Sequence, residues 1–320
     1  MRVIEQLGLY GLIPVVVMDH ADNAIPVADA LEAAGLPVME ITLRTPAGLE
    51  AISRVRAQKP DFLLGAGTVL TVEQCIAAIE AGASYVVSPG FNETVVNTCL
   101  DRGVDVIPGC VTPSEIDKAL AAGLRVLKFF PASTYGGING CKALFGPYAS
   151  AGISFIPTGG ISSVNLSEYA DKPFIHAVGG GWLTPEEAVR SGNWGQITKI
   201  ASAAIDQLLG YEIAHVGINL PDEETAAGVG ASFRQCFRWP LKNGSSSLFC
   251  GNLELMKQPG RGTMGHLAIR TNSVNRALFY LERCGMTPEP STVVTARNGR
   301  ITFAYLKEDL GGFALHLLQK

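Results

Sequence analysis

RVLKFFP (125–131), ISFIPTGG (153–160) and FIHAVGGG (174–181) are apolar nearly throughout and break off in Pro or Gly. A strand with one wet face alternates polar and apolar side chains. Runs without alternation mark strands covered on both faces, as in a parallel sheet flanked by helices. Toward the N-terminus the pattern recurs in LIPVVVM (12–18), VMEIT (38–42), FLLGAG (62–67), SYVVSPG (84–90) and DVIPG (105–109). Segments of helical period lie between most of them. AIPVADALEAAG (24–35) and TVEQCIAAIEAG (71–82) both finish on a glycine suited to a helix C-terminus. Thr71 with Gln74 matches a capping box. Eight strands alternating with helices over residues 1–210 predict an α/β fold, a (β/α)8 TIM barrel at the small end of its size range. A doubly wound open sheet is the alternative, but no GxGxxG follows the first strand.

Beyond Leu209 the pattern changes. AHVGINL (214–220) alternates, and a helical stretch DEETAAGVGASFRQCF (222–237) follows. Then come SLFCGNLELMK (247–257), GHLAIRT (265–271), a second helix SVNRALFYLERCG (273–285), VVTARNGRITFAYLK (293–307) and GFALHLLQK (312–320). Asn298-Gly299 in RNGR reads as a two-residue hairpin turn. Residues 211–320 thus form a separate α+β domain with mostly antiparallel strands. It reads as an internal duplication, with AHVGI at His215 answered by GHLAI at His266.

Composition excludes several classes. The chain carries 25 Lys+Arg against 29 Asp+Glu, net charge −4, which with no basic stripe argues against nucleic acid. Residues 1–211 hold 13 basic and 20 acidic side chains, and residues 212–320 hold 12 and 9. Seven scattered cysteines without a CxxC pair argue against a disulfide framework and fit a reducing cytoplasm. The run from Leu7 to Met18 is too short for a membrane span and contains Pro14.

Barrel enzymes place their chemistry at the C-terminal ends of strands. Lys128 lies among Val126, Leu127, Phe129 and Phe130. An ammonium is costly to bury, and a neutral amine is the nucleophile that adds to a carbonyl. The competing reading is a strand-end lysine reaching solvent. Glu40, inside VMEIT, is a candidate general acid/base or an ion-pair partner of Lys128 or Arg44. Alternation puts Val38, Glu40 and Thr42 on one face, toward either the barrel interior or the helix layer. Arg44 suits a substrate carboxylate, and Thr68 offers a hydroxyl and an amide. Gly159-Gly160 and Gly179-Gly180-Gly181 follow the seventh and eighth strands, where barrels often bind phosphate on bare amides.

MEITLRT, GAGTV, SPG, LKFFP, PTGGI and GGGWL occur in an order and at spacings that resemble the 2-keto-3-deoxy-6-phosphogluconate (KDPG) and 4-hydroxy-2-oxoglutarate (KHG) aldolases. The resemblance covers residues 1–210. It implies a cofactor-independent class I aldolase, a homotrimer, with Lys128 as Schiff-base lysine and Glu40 as proton shuttle. It further implies that Arg44 and Thr68 hold the pyruvyl carboxylate and that Pro89 and Thr158 line the pocket. Gly159, Gly160, Gly180 and Gly181 would cradle a distal phosphate. One departure is GGGWL where many KDPG aldolases read GGSWL, so Gly181 lacks a serine hydroxyl. The implied reaction cleaves KDPG to pyruvate and glyceraldehyde 3-phosphate. The alternatives are 4-hydroxy-2-oxoglutarate, the galactonate epimer, or a metabolite-binding sensor without turnover.

His215, Glu254, His266 and His316 sit at equivalent edges of the two repeats, and imidazole with carboxylate suits Zn, Ni, Fe or Mn. The pattern resembles glyoxalase-like domains of the vicinal oxygen chelate superfamily, built from paired βαβββ modules. Their common ligand order is His, Glu, His, Glu; here the last is His316.

Overall fold

The computed structural model describes all residues, Met1–Lys320, and divides into two compact units, Met1–Leu208 and Leu209–Lys320. No helix is long and apolar enough to cross a membrane.

In the first unit helices and strands alternate from α1 (Val3–Tyr10) and β1 (Leu12–Val16) through α2 (Ala24–Ala33), β2 (Val38–Thr42), α3 (Ala47–Gln58) and β3 (Leu63–Gly67). They continue through α4 (Val72–Glu80), β4 (Tyr85–Ser88), α5 (Glu93–Asp101), β5 (Asp105–Pro108), α6 (Pro113–Ala121) and β6 (Val126–Phe129). The series closes with α7 (Gly137–Tyr148), β7 (Ser154–Pro157), α8 (Ser167–Ala170), β8 (Val178–Gly180), α9 (Glu186–Arg190) and α10 (Trp194–Leu209). All pairings are parallel. Six strands form a continuous half-barrel in the order β5-β4-β3-β2-β1-β8, and β6 pairs with β7. Single bridges join Gly109 to Lys128 and Thr158 to Gly179.

Every residue of β2 and β3 is buried, as the unbroken apolar runs require. Alternation along β2 separates Glu40 and Thr42 from Met39 and Ile41. Full burial of a Met or Ile side chain is worth roughly 1.5–3 kcal/mol. The glycines of β3 make room. A Cβ at Gly65 would stand 2.2 Å from the Tyr85 ring, and one at Gly67 would stand 2.2 Å from Glu40 Oε1. Tyr85 is wholly buried, and its hydroxyl donates to Met39 O at 3.1 Å.

The α4 cap differs in detail from the sequence reading. Thr71 Oγ1 accepts the Gln74 amide at 3.2 Å, but Gln74 Oε1 reaches back past Thr71 to the Leu70 N–H at 2.8 Å.

The second unit contains β9 (Glu212–Asn219), α11 (Glu223–Phe237), β10 (Leu241–Asn243), β11 (Ser247–Cys250) and β12 (Leu253–Met256). It then repeats that order as β13 (Gly265–Thr271), α12 (Val274–Glu282), β14 (Val294–Thr295), β15 (Ile301–Tyr305) and β16 (Phe313–Gln319). One sheet holds all eight strands in the order β10-β11-β12-β9-β13-β16-β15-β14. The two strand–helix–three-strand halves meet where β9 and β13 run antiparallel, each with its own half's last strand parallel on its other side.

SLFCGNLELMK is therefore two strands. RNGR turns differently from the two-residue reading. Ala296 N donates to Arg300 O at 2.8 Å, enclosing three residues, and of Asn298 and Gly299 only Gly299 has positive φ (82°). A two-residue type I′ turn needs positive φ at both centres, whereas a three-residue loop needs it at one.

Candidate active site and candidate metal centre

Lys128 on β6 and Glu40 on β2 face one another inside the first unit. Lys128 Nζ donates to Glu40 Oε1 at 3.1 Å, and the side chains are 8% and 4% exposed. Glu40 thus turns to the interior of the half-barrel, the side the sequence left open. The ring of Phe130 lies 5.5 Å from Nζ. Removing either partner of a buried pair strands the other charge away from water. An amine and a carboxylate within hydrogen-bond reach can also exchange a proton as the amine adds to a carbonyl.

The other predicted residues sit at strand ends around this pair. Arg44 lies in the exposed loop after β2, with no hydrogen bond or ion pair of its own. Thr68 follows β3 at φ 57°, one of two non-glycine residues in the left-handed region, the other being Arg238. Such strain persists where surrounding structure enforces it, often at functional positions. Pro89 follows β4, and its carbonyl oxygen lies where a Cβ at Gly109 would stand, 2.0 Å away. Thr158 follows β7, 6% exposed, with its amide donating to Phe129 O at 3.0 Å.

Gly159 and Gly160 have φ of 91° and 76°, which glycine alone adopts cheaply. Ser133 Oγ lies 2.2 Å from where a Cβ at 160 would sit. Gly180 is required by the Trp182 ring, 1.8 Å from its absent Cβ. Gly181 is different, since a Cβ there would meet only Val15 O at 3.5 Å, an ordinary contact.

Sequence reading missed two features of this site. Thr42, which alternation already put on the face of Glu40, has a buried Oγ1 with no hydrogen-bond partner. Tyr85 packs through Gly65 toward the same interior, and burial, then the Glu40 charge, raise its hydroxyl well above the usual range. Thr42 was visible in the VMEIT alternation; the reach of Tyr85 across β3 was not.

In the second unit the structure brings all four predicted residues together on the four central strands. His215 Nε2 and His266 Nε2 are 3.1 Å apart, and each lies within 3.1 Å of Glu254 Oε2. The ligand atoms of His215, His266 and His316 lie within 4.8 Å of one another. Gly217 opens the space, because a Cβ there would fall 2.1 Å from the His266 ring. Ser247 Oγ donates to the other Glu254 oxygen at 2.7 Å, a contact sequence did not show. Hydrogen bonds from His215 and then His266 hold the Glu254 carboxyl well below the usual carboxylate range, although burial opposes them. Burial, followed by the two neighbouring histidines, pushes His316 down to about 3. His316 Nδ1 is buried without a partner. Phe249, Phe303 and Tyr305 stand against these rings.

Replacing Glu40 by glutamine keeps the side chain's shape and an acceptor for Lys128 but removes its ionisable carboxyl. On the roles the resemblance implies for Glu40 and Lys128, kcat should fall about 100- to 1,000-fold while pyruvate still attaches to Lys128 under borohydride. A kcat within threefold of wild type would remove Glu40 from proton transfer.

Comparison with known proteins agrees with the geometry. The profile of the KDPG and KHG aldolase family matches residues 3–200. The 2-dehydro-3-deoxy-phosphogluconate aldolase of Treponema pallidum is 44% identical over 208 residues, 65% of this chain and 98% of that protein. The KHG/KDPG aldolase of Escherichia coli is 37% identical, covering 61% and 91%. Among solved structures, KDPG aldolase from Legionella pneumophila, with pyruvate captured as a covalent carbinolamine, aligns at TM-score 0.61 and 38% identity. That alignment covers 64% of this chain and 98% of that one. With a matching profile over most of its length and a buried amine–carboxylate pair at its centre, this chain belongs to the KDPG and KHG aldolase family and is a carbon–carbon lyase.

Proposed function

We propose that the first unit, read as a closed (β/α)8 barrel through its two flanking bridges, cleaves KDPG to pyruvate and glyceraldehyde 3-phosphate. The Lys128–Glu40 pair, 3.1 Å apart and buried, carries this reading. Lys128 passes its proton to Glu40 and adds as the free amine to the C2 ketone; Glu40 returns that proton to the departing hydroxyl, and loss of water leaves a protonated imine. Glu40 accepts the C4 hydroxyl proton, directly or through a water. The C3–C4 electron pair moves into the imine, the aldehyde departs, and a pyruvate enamine remains. A proton returns to C3, and water releases pyruvate and the amine. The balance closes without a cofactor.

In this reading Arg44 and Thr68 hold the carboxylate, Pro89 and Thr158 line the pocket, and Gly159, Gly160, Gly180 and Gly181 receive the phosphate. The protein acts as a homotrimer in the cytoplasm. The E. coli relative's name favours 4-hydroxy-2-oxoglutarate as the second substrate. Comparing cleavage of KDPG and 4-hydroxy-2-oxoglutarate tests the choice, and no pyruvate release from either would leave the sensor reading.

Gly181→Ser follows from the open space at that position. The serine hydroxyl would give a phosphate one charge-assisted hydrogen bond, worth roughly 1.5–3 kcal/mol. We expect kcat/KM for the phosphorylated acid to rise about tenfold or more, with the unphosphorylated acid unchanged. Equal effects on both would place the phosphate elsewhere.

The second unit we read as a glyoxalase-like domain whose His215, Glu254, His266 and His316 hold one divalent cation, Zn, Ni, Fe or Mn. Tetrahedral donors at Zn–N distances of ~2.0–2.1 Å stand about 3.3 Å from one another. Three donor atoms here converge at 3.0–3.1 Å. Two imidazole nitrogens and one carboxylate oxygen in mutual contact share few protons, and a cation satisfies all three. A bound cation would polarise substrate oxygens as a Lewis acid.

A further inference from the structure

Thr42 closes β2 fully buried, and its hydroxyl meets no hydrogen-bond partner. Valine has the same branched shape, suits a strand as well and would spare the cost of burying an unpaired hydroxyl. Packing alone gives no reason for an oxygen at this position. The surroundings supply one. Thr42 pairs in register with Gly67 on β3, and the Leu43 N–H, donating to Gly67 O at 2.8 Å, fixes that register. Glu40 stands two residues back, ~6.6 Å along the strand, opposite Gly65. Its side chain nevertheless leans forward, since a Cβ at Gly67 would meet Glu40 Oε1 at 2.2 Å and Glu40 Cγ at 2.7 Å. The Glu40 side chain therefore lies across the residue directly beside Thr42, one strand spacing (~4.8 Å) away. In the free protein Oε1 takes its hydrogen bond from Lys128 Nζ, and the Thr42 hydroxyl is left over.

We propose that Thr42 is a positioning residue for Glu40, the hydrogen-bond partner that replaces Lys128 once the lysine is bonded to substrate. This rests on the Schiff-base reading. An ammonium carries three N–H donors, whereas a protonated imine keeps one, on a nitrogen now held by C2. Glu40 then needs another partner, first as a carboxylate and, after it takes the C4 hydroxyl proton, as an acid. A hydroxyl donates to the first and accepts from the second, which an ammonium cannot do. Thr42 neither gains nor loses a proton in the exchange.

Thr42→Val in the full-length chain should fold with wild-type stability, because the hydroxyl it loses had no partner. Its kcat should fall about tenfold or more with KM within about threefold of wild type, and pyruvate should still attach to Lys128 under borohydride. Exchange of the pyruvate methyl hydrogens in D2O needs the imine and the Glu40 proton transfer but no carbon–carbon cleavage. It should slow by a similar factor. Thr42→Ala puts no methyl in place of the oxygen and should match valine in both rates, so a poor fit of valine does not decide the outcome. Thr42→Ser returns the hydroxyl and should recover most of both rates. Wild-type rates in the two variants without a hydroxyl, or serine as slow as they are, would overturn the role of Thr42. Wild type that traps no pyruvate would overturn the Schiff-base reading itself, and this inference with it.

Discussion

Lys128→Ala should abolish pyruvate release, lowering kcat about 10,000-fold or more, because no other group in the interior replaces the covalent step. The nearest polar neighbour, Glu40, is a carboxylate and forms no imine with a ketone. Wild type incubated with pyruvate and borohydride should gain one pyruvyl group per chain, and the peptide containing residue 128 should carry it. The alanine variant should gain none. Alanine leaves Glu40 buried without its cation, an arrangement that disfavours the folded state by roughly 3–5 kcal/mol if the carboxylate stays ionised. Lys128→Met fills more of the space and separates lost chemistry from lost structure. A folded Lys128→Met protein that still cleaves the acid would end the Schiff-base reading.

Substitution in the cup of the second unit should have the other large effect. Wild type purified with a divalent cation should hold close to one per chain by elemental analysis. His266→Ala should lower that affinity at least about 100-fold, since even residues that only support a ligand cost 10- to 100-fold. His266 is the informative position, because its Nε2 touches both His215 and Glu254. The same cation should raise the unfolding temperature of the second unit in wild type, since binding at 1,000 times Kd stabilises by about 4 kcal/mol. It should leave His266→Ala unmoved. If the four side chains form only a hydrogen-bonded cluster, both proteins will bind equally little cation. In that case His316→Leu, which removes a buried nitrogen without a partner, should stabilise the fold. With a cation it should destabilise the loaded protein instead.

Much of the architecture was legible in the chain because burial on both faces writes itself into composition. A strand such as VMEIT has no charge to spare except one with a purpose, so Glu40 stood out against its neighbours. Lys128 stood out in the same way. The repeat in the second unit was legible because two halves built alike carry histidines at like places. Details decided by backbone torsion were not. The RNGR loop encloses three residues rather than two, and no residue type announces that Asn298 keeps negative φ. The role of Gly217 was also hidden, since a glycine chosen to admit an imidazole from the next strand looks like any other.

By itself the sequence determined the order of strands and helices, the amine and the carboxylate, and the four side chains of the cup. These follow from local rules: periodicity, the cost of burying charge, and the chemistry of single residues. Only tertiary structure decided that Glu40 turns inward to meet Lys128 across the interior and that residues separated by 88 positions share a hydrogen bond. It alone left room at Gly181 for a side chain the sequence lacks. Such relations depend on register between strands far apart in the chain, and register is set by packing of the whole sheet rather than by any one segment.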